Sequence, residues 1–387
     1  MPPKKAQGAH KNFTSKQSSA QSKRKAPLAA KPNRKLEPDS PTAQEILSIF
    51  RHTFSHAFTN TLPQTLQEVK GHLYNRDYFK AFGSEEYLQA YVVRWSPSRA
   101  LAYKTIFLDT CKEIRGVFGV DEEGCSQNAQ VVCIGGGAGA EVVGIAAAVK
   151  ELTKESEEIH EEEKPKALGQ RDEQRNEQRD DTKALGEAGS SPRSNQEQKE
   201  RRKSIEPSLS RLHVTVIDIA SWTNVISSLV SSLTQSSESR PSFVSPNLFS
   251  ATFHQGDVLS ASTASLITKS TSLITLLFTT NELFTQSTSK ATAFLSSLGD
   301  RVSSGALLMV VESAGSYSIV KVGEKEYPMP WLLDLILVGR QGDEDGNGVW
   351  KKNVSEDSNW YRLPKEGLRY PIELENMRYL VRVYQRV

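Results

Sequence analysis

The stretch Val131–Lys150, VVCIGGGAGAEVVGIAAAVK, limits the folds open to this chain more than any other. An apolar run meets five residues of which four are glycine, and an alanine-rich amphipathic pattern follows. That order reads as a buried strand, a tight loop and a helix. Glycines at the carboxyl end of a strand let the backbone turn sharply and approach a ligand closely. The free N–H groups of the next helix add positive dipole character. A nucleotide-like ligand is therefore expected, with a ligand-free turn as the bland alternative. Gly135, Gly137 and Ala140 satisfy the G-x-G-x-x-G/A spacing of a dinucleotide site. Gly135, Gly137 and Gly139 equally satisfy a G-x-G-x-G loop beneath the methionine and ribose of S-adenosylmethionine. Gly136 lies between them, and the loop alone leaves both ligands open.

The rest of the chain supplies the partners for such a unit. Ile46, Ile49, Phe50, Phe54, Ala57 and Phe58 recur at helical spacing, as do Leu66, Val69, Leu73, Tyr78 and Phe82. Within YLQAYVVRWSPSRALAYKTIF, Ser96-Pro97 is expected to end one helix and Ser98 to cap the next. RLHVTVIDIASW, NLFSATFHQGDVLS, SLITLLFTTNELFTQS and GALLMVVES each contain a short apolar strand. NWYRLP and MRYLVRVYQRV alternate with period two, which suits a hairpin partly open to water. Strands alternating with helices imply an α/β fold, a mostly parallel Rossmann-like sheet with helices on both faces. The expected division is a helical region over 41–125 and a ligand-binding domain over 126–387.

Two segments look unable to fold. Met1–Ser40 carries ten Lys/Arg against Glu37 and Asp39, with one aromatic residue, Phe13. Thr153–Ser208 has no Phe, Tyr or Trp, and nearly repeats itself in RDEQRNEQRD. Neither can bury enough apolar surface to offset the cost of ordering, so a disordered basic tail and a disordered insertion are expected. The Arg24–Lys25 and Arg34–Lys35 clusters suit phosphate contact or nuclear import. Cys111, Cys125 and Cys133 show no paired spacing, which argues against a disulfide framework or zinc ribbon. No apolar run reaches the roughly 20 residues of a membrane helix, and no secretory segment opens the chain, so an intracellular, reducing compartment is expected.

Acids at later strand ends sharpen the ligand question. Asp218 closes the second strand, where an acid accepts hydrogen bonds from ribose hydroxyls; removing the insertion restores a normal distance to the glycines. The alternative is that Asp218 caps the next helix. Gly256-Asp257 follows the third strand, where methyltransferases set an acid or amide near the adenine amine, although Gly-Asp also makes ordinary turns. Gly135, Gly137, Gly139, Asp218 and Asp257 thus fall in order at successive strand ends, where open α/β sheets bind ligands. A dinucleotide fold does not require the closing hairpin. An antiparallel last strand is instead a mark of class I methyltransferases.

RWSPSRALAY, CIGGGAGAE, VIDIASW, TTNELFTQS and YPMPWLLDLIL together resemble the fungal large-subunit (25S) ribosomal RNA uridine-N3 methyltransferase family, over about Ile46 to Val387. The resemblance implies a class I S-adenosylmethionine-dependent enzyme of the nucleus and nucleolus. It would act on ribosomal RNA or a pre-ribosomal particle; a monomer without membrane contact is a separate expectation. Many class I enzymes carry an acid two residues before the first loop glycine; Cys133 stands there, so Glu141 or a backbone carbonyl would have to receive the donor's ammonium. The competing functions are an NAD(P)-dependent oxidoreductase and a non-catalytic RNA-binding assembly factor.

Uridine N3 holds a proton at neutral pH, so methyl transfer to it needs a proton acceptor of suitable pKa. FTTNELF occupies the place of the D/N-P-P-Y motif of amino-methyltransferases but has no Pro-Pro, which argues against an exocyclic amine target. Glu282 is the candidate proton acceptor and Asn281 the group that orients the base edge. The alternative is that both simply open a helix. Trp95, Phe284 and Trp331 are candidates for base stacking, although large apolar side chains more often bury. Arg94 and Arg99 would hold phosphate or the donor's carboxylate, or else pair with Glu85 or Glu86. A valine at Gly137 is expected to fill the ligand's approach path and leave the fold intact. His52 and His56 lie four apart but lack further ligands nearby, so no metal site is expected.

Overall fold

A computed structural model describes residues 41–110, 114, 117, 128–154, 211–236, 241–315, 319–339, 349–364 and 366–387. The basic tail, and the insertion from residue 155 on, lie outside the described residues. Nine strands run in chain order among them: β1 (Ala129–Ile134), β2 (Leu212–Asp218), β3 (Phe249–Gln255), β4 (Thr271–Leu277), β5 (Leu307–Ser313), β6 (Ile319–Val322), β7 (Lys325–Pro328), β8 (Trp350–Tyr361) and β9 (Met377–Arg386). Seven form one sheet in the order β3-β2-β1-β4-β5-β9-β8, while β6 and β7 make a separate hairpin. The first five in that order are parallel. β9 runs antiparallel between β5 and β8. This insertion is the closing pattern expected from the sequence, and it departs from an all-parallel dinucleotide fold.

The central strands are buried on both faces, which explains their unbroken apolar runs. Val131 and Cys133 face one core with Val214, Val216, Leu273 and Met309. Val132 and Ile134 face the other with Ile217, Ile274, Leu276 and Leu308. β9 also differs from the expected half-wet hairpin strand. Buried Leu380–Tyr384 shows no alternation, because β9 lies inside the sheet and only β8 forms the edge.

Among the described residues, the α-helices α1 (Pro41–Thr53), α2 (Leu62–Tyr74), α3 (Tyr78–Ala81) and α4 (Glu85–Asp109) precede the sheet, with a 3-10 turn at Ser55–Ala57. α4 corrects the expectation of a helix break at Ser96-Pro97, because it runs through Pro97 without interruption. A proline in a helix interior leaves the carbonyl four residues earlier without its N–H partner. Here that carbonyl, Val93 O, accepts a bond from the Tyr370 hydroxyl at 2.9 Å. Ser98 caps no helix; its Oγ accepts the Glu375 N–H at 3.0 Å. Long-range contacts have satisfied what local sequence left open.

The helix after β1, α5 (140–154), reaches two residues into the segment expected to be disordered. It is not amphipathic in effect, since residues 140–149 are all buried. α4 covers the face that an isolated βα unit would leave to water. A Cβ at Gly144 would stand 3.0 Å from Tyr103 Cβ and 3.4 Å from Ala100 O, so the small residues of α5 permit this close crossing. The remaining α-helices among the described residues are α6 (Thr223–Thr234), α7 (Ala261–Ala264), α8 (Thr280–Gln286), α9 (Thr288–Arg301) and α10 (Met329–Leu337).

Candidate functional site

Gly135, Asp218, Gly256, Thr279 and Ser313 all follow or close parallel strands at the same sheet edge, so the sequence-predicted residues converge there. Ladder bonds continue into the loops: Gly135 N–H to Ile217 O, Gly256 N–H to Asp218 O, and Phe278 N–H to Val311 O, at 2.7–2.8 Å. One Asp218 oxygen accepts the Gly137 N–H and the other the Ala220 N–H, each at 3.0 Å. Asp218 therefore ties the second strand to the glycine loop. It does not cap α6, whose first turn has no side-chain cap. Asp257 closes a local turn by accepting the Leu259 N–H at 2.9 Å and receives Gln286 Nε2 at 2.8 Å.

The glycines serve packing as well as approach. Gly137 faces the indole of Trp222, and a Cβ there would lie 1.9 Å from its Cδ1. Gly135 has φ +75° and faces Thr279, whose hydroxyl donates to Ile134 O at 3.0 Å. Gly139 admits Leu229 of α6. The expectation that a side chain at 137 meets only ligand space is thus corrected: Trp222 occupies that position. The α4 helix reaches the same loop through Ser96 Oγ, which donates to Ala138 O at 2.7 Å.

Glu141 lies directly under the loop. Its carboxyl is 3.4–3.5 Å from where a Gly136 Cβ would be, and it accepts the Thr275 hydroxyl at 2.5 Å. Burial pushes its pKa up to about 7, against the opposing bonds from Thr275 and Cys133. The acid missing at position 133 is therefore matched in space by one at 141, held against the Cys133 side chain.

On the other lip, Phe278 has φ +61°, a left-handed conformation costly for an aromatic residue. It directs the chain into α8, which carries Asn281 and Glu282 in its first turn. Asn281 is fastened to Glu312 at the end of β5, through its backbone N–H at 3.2 Å and Nδ2 at 3.0 Å. Burial pushes Glu312 up to about 7, against bonds from Asn281, Ser313 and Thr280. Glu282 is pushed up to about 8, first by the protein crowded around it, then by the carboxylates of Asp218 and Glu312. Its side chain keeps solvent access. Water there offsets part of the burial contribution, and the two neighbouring acids are the cause that persists.

Facing these acids is Arg99 of α4. It donates to the Tyr91 hydroxyl at 2.7 Å and lies over the Phe278 ring at 5.4 Å, with no ion pair among the described residues. Arg94 instead pairs with Glu375, and neither arginine meets Glu85 or Glu86. Four carboxyls with raised pKa, Glu141, Asp218, Glu282 and Glu312, gathered near one cation without an ion pair, form a functional-site signature. Glu312 and Trp222 were missed in the sequence. Glu312 follows the rule that selected Asp218, an acid closing a parallel strand; Trp222 had no such signal.

A match over residues 50–385 places the chain in the family described as "Putative SAM-dependent methyltransferase". The chain belongs to that family. This methyltransferase is 33% identical over 354 residues to the 25S rRNA (uridine(2843)-N(3))-methyltransferase of Saccharomyces cerevisiae, covering 88% of this chain and 85% of the relative. Among solved structures, it matches an S-adenosylmethionine-dependent methyltransferase from Methanosarcina mazei at 10% identity and TM-score 0.35, covering 68% of this chain and 95% of that one. It matches human N-acetylserotonin methyltransferase, solved with S-adenosylmethionine, at 12% identity and TM-score 0.31, covering 90% and 71%.

S-adenosylmethionine is the cofactor of this methyltransferase, and the dinucleotide reading of Gly135, Gly137 and Ala140 gives way to the donor reading. The crevice fits the donor's chemistry. Trp222 Nε1, buried beside Gly137, lies against the Asp218 carboxylate without reaching full hydrogen-bond geometry, and the pair suits a ribose hydroxyl. Arg99 supplies a cation for a carboxylate, and the surrounding acids suit an ammonium and a sulfonium. Of the expected stacking residues, Trp95 is half-buried, Phe284 is buried, and only Trp331 is exposed, stacked on Tyr327 at 5.1 Å. His56 binds Gln89, and no group of three metal-ligating side chains occurs among the described residues.

Proposed function

We propose that this methyltransferase modifies N3 of a uridine in large-subunit (25S) ribosomal RNA. The reading rests on the 33% identity to the yeast 25S rRNA enzyme along most of both chains. The acid Glu282 supports it. A base near neutral pKa suits removal of a proton from a weakly acidic ring nitrogen, and the neighbouring carboxylates of Asp218 and Glu312 push Glu282 up from the ordinary glutamate value.

When bound, the donor supplies an electrophilic methyl group on its sulfonium. Gly135, Gly136, Gly137 and Gly139 form the floor beneath it, Asp218 and Trp222 receive the ribose, and Gly256-Asp257 borders the adenine. Arg99 holds the carboxylate, and Glu141 biases the loop toward the ammonium. Glu282 takes the N3 proton, and Asn281, fixed by Glu312, orients the base edge. Positioning contributes most, because an in-line approach tolerates little displacement.

The substrate is ribosomal RNA or a pre-ribosomal particle, with the basic tail adding sequence-independent attraction. Nuclear and nucleolar residence and a monomeric state accompany this reading. Among the described residues no helix is long and apolar enough to cross a membrane.

The test uses purified protein, methyl-labelled S-adenosylmethionine and 25S rRNA lacking the modification. Label should enter the RNA and stop primer extension at one uridine, since an N3 methyl blocks Watson–Crick pairing. Label at a position that leaves primer extension unimpeded would refute N3 as the target.

A further inference from the structure

The segment Tyr74–Phe82 touches both sides of the strand ends that carry the site. On one side Phe82 packs on Trp222 at 5.4 Å, the residue seated on Gly137. On the other, Arg76 Nη1 donates to Thr285 Oγ1 of α8 at 3.4 Å, one turn beyond Glu282. Arg76 itself is left-handed, φ +56°, a strained conformation for a residue with a long side chain. Tyr78, between these anchors, lies in the electrostatic reach of Glu282 and Glu312. The segment is therefore held at both lips of the site.

Its outer surface is unusual. Tyr74 and Phe79 are each 90% exposed, the largest exposures of any large apolar side chains described. Two aromatic rings left in water within six residues have no packing role, and surfaces of this kind mark contacts with other molecules. Between Lys70 and Lys80 the exposed cations Lys70, Arg76 and Lys80 face one acid, Asp77. Asp77 pairs with Lys80 at 2.8 Å, and Arg76 forms no ion pair among the described residues. Exposed aromatic faces beside a guanidinium without an ion pair match the bases and phosphates of an unpaired strand. Base–aromatic stacking is sequence-tolerant and pairs naturally with backbone cations.

We infer that Tyr74 and Phe79, with Arg76 between them, form a single-stranded RNA platform that stacks nucleotides flanking the target uridine while that base enters between Phe82 and α8. A uridine in a duplex cannot offer N3 to a cleft, because that edge is paired, so an unstacked flanking strand is what such an enzyme has to hold. The inference rests on the RNA reading above, and its test separates the two.

The test compares the full chain with a Tyr74→Ala/Phe79→Ala variant. Both side chains are exposed, so the fold should survive, checked by thermal melting and by S-adenosylhomocysteine affinity. The probe is a fluorescein-labelled 12-nucleotide oligouridine, with 25S rRNA transcript for methyl transfer. Losing one to two stacked bases should weaken oligouridine binding roughly tenfold or more. KM for the transcript should rise to match, with S-adenosylhomocysteine affinity and melting unchanged. Tyr74→Trp and Phe79→Trp should restore binding, which a merely structural role would not require. Wild type that methylates the transcript, together with a double variant of equal RNA affinity, would overturn the platform and leave the RNA reading standing. Wild type that neither binds nor methylates RNA would overturn both. A change in molecular mass between wild type and variant by light scattering would assign the rings to a second copy and overturn the RNA platform.

Discussion

Gly137→Ala is the smallest change that tests how the crevice is built. The new Cβ would stand 1.9 Å from Trp222 Cδ1 and 2.4 Å from Cγ, where unstrained carbon contacts are about 3.5–4.0 Å. The ring must retreat by more than about 1 Å. It cannot do so freely, since Trp222 is 1% exposed with Phe82 at 5.4 Å and Tyr91 at 6.0 Å. Overpacking a core costs about 1–3 kcal/mol, and losing a buried tryptophan's contacts costs about 3–5 kcal/mol. A clash against a rigid ring falls where these ranges meet, at about 3 kcal/mol. Guanidinium unfolding followed by tryptophan fluorescence measures the loss, and calorimetry with S-adenosylhomocysteine should show donor binding weakened together with it. The decisive comparison is made in a Trp222→Ala background. With the ring gone, Gly137→Ala should cost under about 1 kcal/mol, giving a coupling of roughly 2 kcal/mol or more. A single variant as stable as wild type, or two substitutions that simply add, would refute the claim that Gly137 exists to seat Trp222.

Glu282→Gln should lower kcat by about 10²–10⁴-fold with S-adenosylhomocysteine affinity retained. In wild type the rate should rise with pH up to about 8, because the acceptor works only when deprotonated; a variant with wild-type kcat and pH profile would remove Glu282 from the chemistry. Glu141→Gln tests the buried acid through stability. A carboxyl raised from 4.5 to about 7 in the fold is favoured protonated, so its contribution is fully present below pH 4.5 and is lost as pH rises from 4.5 to 7. The glutamine variant should lose less stability than wild type over that window, and parallel curves would show that Glu141 does not titrate there. Arg99→Gln should weaken S-adenosylhomocysteine binding about tenfold, the scale of one charge-assisted hydrogen bond, and leave methylthioadenosine, which lacks the carboxylate, unaffected. An equal loss for both ligands would mean that Arg99 supports the crevice without touching the carboxylate.

The sequence by itself determined the βαβ unit around Val131–Lys150, the succession of strands along the chain and the acid Asp218 that closes the second of them. These are local quantities, since period, glycine spacing and residue type at a strand end are readable without knowing what packs where. It also placed Asn281 and Glu282 just after a central parallel strand, where the structure has them. What it could not supply were contacts between residues distant in the chain. Pro97 reads as a helix end until Tyr370, 277 residues away from Val93, donates to the freed carbonyl. The alanine-rich α5 reads as amphipathic until α4 covers its outer face. Gly137 reads as space for a ligand until Trp222 fills part of it, and nothing local marks Tyr74 and Phe79 as the rings that the fold leaves in water. In each case local propensity left more than one conformation close in free energy. The choice fell to burial and hydrogen bonding that exist only once the chain has folded.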